Sequence, residues 1–196
     1  MAWAFERLAR EPAAARRLSE ELDAGESDAY LNASIQEILR LRPVLAEAEP
    51  RVVKRAIEIG GVEYPPGVAL VISAYLVHRD PDIYPQPQAF RPERFLEGEH
   101  GEVRGRAPGK YTWIPFGGGR TRCLGASFAL AEMRVVLATV LSRCEIAAVH
   151  PAGERTRRRS ITLSPAGQAT VVLRDRVSAR RAQEPMPDGA LLSSAR

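Results

Sequence analysis

The chain has 196 residues, of which 45% are hydrophobic and 27% charged, and its formal net charge at pH 7 is +4. A chain of this length and composition can bury a sizeable core, so we expect a soluble globular domain. The longest apolar run, VALVISAYLV at 68–77, is too short to span a bilayer, and no signal peptide precedes it.

The two cysteines, Cys123 and Cys144, form neither a disulfide framework nor a CxxC metal motif. A reducing cytoplasm is therefore the expected location. The positive charge is spread along the chain, which could favour an acidic partner or nucleic acid but is more often typical of a solvated surface. We expect no nucleic-acid partner and no membrane span.

The first part of the chain is predicted to be helical. Leu31, Ile35 and Ile38 follow the spacing of one helical face, and Pro43 ends that pattern. The three predicted helices cover residues 2–10, 12–23 and 27–41.

Strands are predicted next, over 51–78, with turns at Gly60-Gly61 and at 65–67. Residues 79–112 are irregular and rich in Pro, Gly, Asp and Arg, and a long irregular segment is usually functional or disordered.

The carboxy-terminal part begins with a predicted helix at 124–142. Residues 144–150 read as a strand, 160–174 as a hairpin around Pro165–Gly167, and the arginine-rich 154–159 as a solvated turn. The fold is therefore expected to be mainly α with small β-sheets (α+β), with one domain at 1–176 and a disordered tail at 177–196.

One cysteine lies in a glycine-rich segment, FGGGRTRCLG at 116–125, which we call the cysteine loop. It ends without the lysine of a phosphate-binding P-loop, and Arg122 stands where a dinucleotide motif needs its third glycine. A zinc site is not indicated either, because none of the three histidines has metal-ligand spacing to a cysteine. A buried structural cysteine is the commonest fate of a lone cysteine, but it would not need these glycines and arginines.

Cys123 precedes a predicted helix, and the positive end of the helix together with Arg120 and Arg122 would stabilise a thiolate. A thiolate can be a nucleophile, which needs a histidine base, or a metal ligand. Ligation of haem iron accounts for more of the loop, because glycines let the backbone approach a flat macrocycle. Phe116 would pack beside such a ring.

The cysteine loop resembles the FxxGxxxCxG haem loop of the cytochrome P450 monooxygenases. EILR at 37–40 resembles the ExxR motif of the family, and FRPERF at 90–95 contains its PxRF segment. The motifs occur in the family's order over residues 3–174. The chain is thus identified as the carboxy-terminal half of a bacterial-type, soluble member, with the distal half of the fold missing.

The resemblance implies haem b as cofactor, with the Cys123 thiolate as axial iron ligand. It also implies a set of residues around the haem, including Arg51 and His78 as candidates for the propionates: Arg51, His78, Phe116, Gly117, Gly119, Arg120, Arg122 and Gly125. The family usually has a basic residue two positions before the cysteine, where this chain has Thr121.

Glu37 and Arg40 are three residues apart and so are neighbours on a helix, opposite the predicted apolar stripe. Such a pair is most often exposed and contributes a few tenths of a kcal/mol. The resemblance implies instead a buried ion network of Glu37, Arg40 and Arg94 that joins the helix to the segment before the cysteine loop.

By resemblance, the expected function is haem-thiolate monooxygenation of a small organic substrate, with electrons from a ferredoxin or a flavoprotein reductase. Two alternatives stay open: a haem-binding or structural remnant without turnover, and a thiol-dependent redox enzyme with Cys123 as nucleophile. Residues 2–10 resemble the end of the long distal helix, so Trp3 and Phe5 are expected to face water. The isolated chain is accordingly expected to be marginally folded and to bind haem weakly.

Overall fold

The computed structural model describes residues 1–96 and 111–176. The predicted disordered tail at 177–196, part of the predicted irregular segment and His100 lie outside the described residues.

Five α-helices form the framework of the described chain. Glu21 caps the third of them, since its carboxylate accepts hydrogen bonds from the amides of Tyr30 and Leu31 at 2.8 and 2.9 Å. Short 3₁₀ turns cover Pro92–Phe95 and Gly119–Thr121. The helices are α1 (Ala2–Arg10), α2 (Pro12–Ala24), α3 (Ala29–Leu41), α4 (Ala74–Val77) and α5 (Ala126–Arg143).

The hydrophobic core lies where α3 meets α1, α2 and α5, and ten of the thirteen residues of α3 are buried. The predicted stripe of α3 is in this core, but the opposite face is buried as well and includes Glu37 and Arg40. Charged groups on a buried helix face must be paired inside the protein. The main apolar side chains of the core are Leu8, Leu18, Leu31, Ile35, Ile38, Leu137 and Leu141.

The strands form four separate two-stranded antiparallel sheets. The predicted hairpin at Gly60-Gly61 is present, and both glycines have positive φ, at 60° and 80°. In pairs, the strands are β1 (Arg51–Val52) with β4 (Ala69–Leu70), β2 (Ile57–Ile59) with β3 (Val62–Tyr64), β5 (Cys144–Ala148) with β8 (Val171–Asp175), and β6 (Thr156–Arg159) with β7 (Thr162–Pro165).

Three local predictions are wrong. Residues 160–174 do not form one hairpin, because β7 pairs backwards with β6 while β8 pairs with the distant β5. The arginine-rich segment is the exposed strand β6, turned into β7 at Ser160, whose φ is 56°. Residues 74–77 are helical because the Ser73 hydroxyl caps them, accepting from the Leu76 amide at 3.3 Å. The broader prediction of a mainly helical chain with small sheets is confirmed.

The aromatic side chains of α1 do not face water, contrary to the expectation from sequence. Trp3 is buried, its Nε1–H donates to the Leu163 carbonyl at 3.1 Å, and the Arg42 guanidinium lies 4.5 Å from its ring centroid. Phe5 is half-buried against the core. The strand β7 and the end of α3 supply the cover that the sequence did not reveal.

Within residues 1–96 and 111–176, none of the helices has the length and apolar character needed to cross a membrane.

Candidate functional site

A groove with a volume of about 670 Å³ runs beside the cysteine loop. Its size lies within the range usual for small-molecule sites, and such sites combine an apolar lining with a few polar groups. Cys123 lines it and is exposed, and Glu47, Glu49, Arg51 and Thr121 supply further polar groups. The apolar walls include Leu39, Val44, Leu45, Ile72, Ala74, Ile114 and Phe116.

The backbone of the cysteine loop is held by its own hydrogen bonds. The Gly117 amide donates to the Ile114 carbonyl at 3.0 Å, and the Cys123 amide donates to the Phe116 carbonyl at 2.9 Å. Gly117 and Gly119 have φ of 70° and 65°, and no atom lies within 3.8 Å of a Cβ added at either position. Glycine is therefore required there by backbone conformation and not by crowding.

The helix after the loop starts later than predicted. Its first residue is Ala126 and its N-cap is Gly125, so Cys123 lies three residues before the helix. The Cys123 carbonyl still joins the loop to the helix, because it accepts from the Ala126 amide at 3.3 Å. A Cβ on Gly125 would lie 3.8 Å from the Cys123 sulfur, so the glycine keeps the space beside the thiol open.

The arginines near Cys123 divide between two sides of the loop. Arg51 lines the groove, and its guanidinium donates to the Thr121 hydroxyl at 2.5 Å and pairs with Glu49 at 3.1 Å. Arg120 and Arg122 line a second depression of about 590 Å³ and, in the described part of the chain, are not among the groove residues. The two depressions adjoin along Phe116, Gly117, Gly118 and Gly119, and of the three arginines Arg51 is the one that lines the depression containing Cys123.

His78 is not in the groove, although the sequence made it a candidate for a propionate contact. It is fully buried. Its Nδ1 lies 3.2 Å from the Arg40 carbonyl oxygen, and its Nε2 accepts from the Ile114 amide at 2.9 Å. Both ring nitrogens are in use, so the propionate role is replaced by a contact between α3 and the residues before the cysteine loop.

The pKa of His78 is lowered from 6.5 to about 4, mainly by burial; the positive charges of Arg40 and Arg79 contribute to the lowering, and the backbone bond to Arg40 opposes it. The unfolded chain therefore binds a proton at this residue between pH 6.5 and 4 where the folded chain does not. The contribution of the neutral His78 ring to the stability of the fold is fully present above that window and is lost as the pH falls through it.

Because of His78, we expect the free energy of unfolding to fall by about 2 kcal/mol as the pH is lowered from 7 to 5. The variant His78→Gln has no titrating group at this position and serves as control. Urea unfolding should show a free-energy difference between wild type and variant that shrinks by this amount as the pH is lowered. A constant difference across the window would contradict a depressed pKa.

The structure brings Glu37, Arg40 and Arg94 together as a buried ion network. Arg40 donates from Nε and Nη2 to the two carboxylate oxygens of Glu37 at 2.7 and 2.8 Å, and both side chains are fully buried. Arg94 Nε donates to Glu37 Oε1 at 3.2 Å, as does the Arg91 amide at 2.9 Å. Burial lowers the pKa of Arg94, and the charge of Glu37 opposes that effect.

The network also satisfies backbone groups of the segment that precedes the cysteine loop. Arg40 donates to the carbonyls of His78, Pro87 and Ala89 at 2.6, 2.8 and 3.2 Å, and Arg94 donates to that of Pro85 at 3.3 Å. These bonds fasten an irregular stretch of chain to α3, where secondary structure could not hold it.

Two aromatic residues that the sequence analysis did not single out support the loop. Trp113 Nε1–H donates to the Gln36 carbonyl at 3.0 Å, and its ring meets that of Phe116 edge-on at 6.3 Å. The Tyr84 hydroxyl donates to the Thr112 carbonyl at 3.0 Å, and burial raises the pKa of Tyr84 to about 12. For Trp113, the sequence signal that could have been used is its position three residues before Phe116 in TWIPF at 112–116.

A thiol nucleophile would need a histidine base beside Cys123. Of the two histidines among the described residues, His78 uses both ring nitrogens elsewhere, and His150 lies in the turn whose carbonyls accept from Arg10. Among the residues that the structure describes, no group of three His, Cys, Asp or Glu side chains could hold a metal ion. The groove thus presents the Cys123 thiol, the Arg51 guanidinium, the Thr121 hydroxyl and the carboxylates of Glu47 and Glu49 beside a largely apolar wall.

The family model "Cytochrome P450" matches residues 1–170. The chain belongs to the cytochrome P450 family. It is 39% identical over 176 residues to cytochrome P450 138 of Mycobacterium bovis, a match that covers 90% of this chain and 38% of that protein. It is 37% identical over 179 residues to cytochrome P450 135B1 of Mycobacterium tuberculosis, covering 89% and 36%. The chain thus spans little more than a third of the length of these relatives.

Solved cytochrome P450 structures have the same fold over the matched part. A cyanobacterial cytochrome P450 with bound retinoic acid superposes with a TM-score of 0.76 at 25% identity, covering 89% of this chain and 42% of that one. A zebra fish cytochrome P450 with abiraterone superposes with a TM-score of 0.73 at 26% identity, covering 89% and 43%. The predicted family and the predicted partial cytochrome P450 fold are confirmed.

Proposed function

We propose that the groove binds haem b, with the Cys123 sulfur as axial iron ligand, and that the chain is part of a haem-thiolate monooxygenase. The observation that supports this most directly is the exposed Cys123 thiol at the edge of an apolar groove of suitable size. Family membership supports it independently, because the cytochrome P450 family implies a haem with a cysteine thiolate ligand.

The residues of the groove fit such a group. A thiolate is the soft anionic ligand that haem iron of this type takes. Gly117 and Gly119 adopt conformations that other residues avoid, and they leave the backbone without side chains facing the groove. Phe116, half-buried between Trp113 and the groove, would pack beside the ring.

We assign the propionate contact to Arg51 and not to Arg120 or Arg122. Arg51 lines the groove with Cys123, whereas the other two arginines line the second depression. Its pair with Glu49 is exposed, and exposed pairs contribute at most about 1 kcal/mol, so an anionic ligand could recruit the guanidinium at little cost. Thr121 would orient it through the hydrogen bond already present.

When bound, the haem supplies oxygen activation and the insertion of one oxygen atom into an organic substrate. In this chain the Phe116 carbonyl holds Cys123 through a backbone hydrogen bond, and Gly125 places no side chain beside the sulfur. The apolar wall of the groove would exclude water from one side of the bound haem. A small organic substrate, a ferredoxin or flavoprotein reductase as electron donor, and a cytoplasmic location complete the proposal.

The test is a titration of the purified chain with haem, followed by reduction and addition of carbon monoxide. We expect the strongly red-shifted Soret band of a thiolate-ligated carbonyl complex. Arg51→Gln should weaken haem binding by about tenfold, and the matched control Arg120→Gln should leave it unchanged. A carbonyl spectrum without the red shift would overturn the proposal, and equal effects of the two variants would overturn the assignment of Arg51.

A further inference from the structure

His78 joins two parts of the molecule that are distant in sequence. It follows α4 as its C-cap residue and is fully buried between Arg40 of α3 and Ile114, which lies two residues before Phe116. A buried imidazole with both nitrogens bonded to backbone groups fixes those two groups relative to each other, because water cannot replace either bond in the interior.

The contact with Arg40 is reciprocal. Arg40 Nη1 donates to the His78 carbonyl at 2.6 Å, and the His78 ring meets the Arg40 carbonyl through Nδ1 at 3.2 Å. The His78 main chain and side chain are thus both tied to the central residue of the buried ion network. The network in turn fixes Arg40 by its two bonds to Glu37.

These partners fix the tautomer of His78. A carbonyl oxygen only accepts, so Nδ1 must carry the proton that reaches the Arg40 carbonyl. The Ile114 amide only donates, so Nε2 must be bare. A doubly protonated ring would set its Nε2–H against the Ile114 N–H and would break this contact.

From Ile114 further hydrogen bonds lead to the backbone of Cys123. The Ile114 carbonyl accepts from the Gly117 amide at 3.0 Å, and the Phe116 carbonyl accepts from the Cys123 amide at 2.9 Å. Ile114 is therefore held at its amide by His78, while its carbonyl closes the turn that starts the cysteine loop. Moving Ile114 would move the turn and, with it, the backbone partner of Cys123.

The charged and titratable groups near His78 are consistent with a neutral ring. The guanidinium of Arg40 comes from α3 and that of Arg79 from the segment after α4, and both disfavour a charged imidazole. The ring of Tyr84 meets that of His78 edge-on at 6.3 Å, and its own hydroxyl donates to the Thr112 carbonyl.

We propose that His78, as the neutral Nδ1–H tautomer, is a positioning residue that couples the ion network to the Cys123 thiol through Ile114. The consequence for catalysis rests on the proposed function, since it assumes that the positioned thiol is the iron ligand. The coupling itself concerns only residues of this chain and can be measured without haem.

The first measurement uses the wild-type chain with ¹⁵N-labelled histidine and no haem. Long-range ¹H–¹⁵N spectra distinguish a protonated from a bare ring nitrogen. We expect His78 to show a protonated Nδ1 and a bare Nε2 at neutral pH, in a single form. A protonated Nε2, or a mixture of tautomers in rapid exchange, would overturn the proposal.

The second measurement separates the two ring nitrogens, in a Cys144→Ser background where Cys123 is the remaining thiol. In His78→Gln, the amide oxygen can take the place of Nε2 and accept from Ile114. In His78→Asn, the shorter side chain can donate to the Arg40 carbonyl but cannot reach Ile114. Readouts are hydrogen exchange of the Ile114 amide and the rate at which iodoacetamide alkylates Cys123.

We expect His78→Gln to keep exchange of the Ile114 amide near that of the background protein and His78→Asn to accelerate it by about tenfold, with a changed alkylation rate at Cys123. A merely structural role predicts similar effects of the two variants, and this result would overturn the proposal. If His78→Asn fails to fold, His78→Gln still tests the proposal, because accelerated exchange at Ile114 in that variant would overturn it, as would a protonated Nε2 in the wild type. A chain that meets these expectations but binds no haem would overturn the proposed function and leave the coupling standing.

Discussion

Replacing Glu37 with alanine is expected to lower the free energy of unfolding by about 3–5 kcal/mol. The change removes the two carboxylate oxygens that accept from the fully buried Arg40 guanidinium, one of which also accepts from Arg94, and leaves these arginines with backbone carbonyl acceptors and no anion. It also leaves the Arg91 amide without its partner. Two positive charges would then remain close together in the interior without a compensating anion. Urea or thermal unfolding of the haem-free chain measures the effect.

The matched control is Glu49→Ala, which removes the acid of the exposed pair with Arg51. This substitution should change the free energy of unfolding by less than about 1 kcal/mol, because water screens the pair and solvates the remaining arginine. Equal effects of the two substitutions would show that the network contributes no more than a surface pair. A normal melting temperature for the Glu37 variant would contradict the prediction outright.

Replacing Cys123 with alanine is expected to abolish the red-shifted carbonyl spectrum of the haem-loaded chain completely. Within the cysteine loop, no other side chain is a soft anionic ligand, so none can replace the sulfur. The Cys123 side chain is exposed, so its removal should change the melting temperature little. The loss would then report ligation and not unfolding.

Cys144→Ala is the control, because Cys144 is the second free cysteine of the chain and is partly buried at the start of β5, paired with Asp175 of β8. It should retain the spectrum of the wild type. If the Cys144 variant lost the red-shifted band and the Cys123 variant kept it, the assignment of the ligand would be wrong.

The helices could be predicted from sequence because their determinants are local. The predicted bounds of α1 to α3 are correct within about two residues, and for α3 they rest on the spacing of Leu31, Ile35 and Ile38 and on the break at Pro43. Gly60-Gly61 likewise determined the hairpin of β2 and β3, since its positive φ angles suit glycine. The partner of β8 could not be predicted this way, because strand β5 lies more than twenty residues earlier and the pairing depends on the packed fold.

In the candidate site, too, some features follow from local sequence and others from long-range packing. The motif order and the spacing around Cys123 determined the family and the thiol, and the i,i+3 spacing made Glu37 and Arg40 neighbours. Whether that pair is exposed or buried depends on which faces of α3 the rest of the chain covers. Only the tertiary structure decided that the face with Glu37 and Arg40 is covered, which converts a weak pair into a network whose disruption is costly.

The roles of Arg51 and His78 also required the tertiary structure. Arg120 and Arg122 are adjacent to Cys123 in sequence, yet the short 3₁₀ turn directs them to the second depression, and Arg51 reaches the groove from 70 positions away. His78 looked like an accessible turn histidine, and burial between Arg40 and Ile114 gave it a depressed pKa and two fixed partners. Sequence by itself determined which chemical groups the site contains, because residue type and local spacing specify them. Which of those groups face one another was decided by long-range packing, since burial and direction are properties of the folded chain.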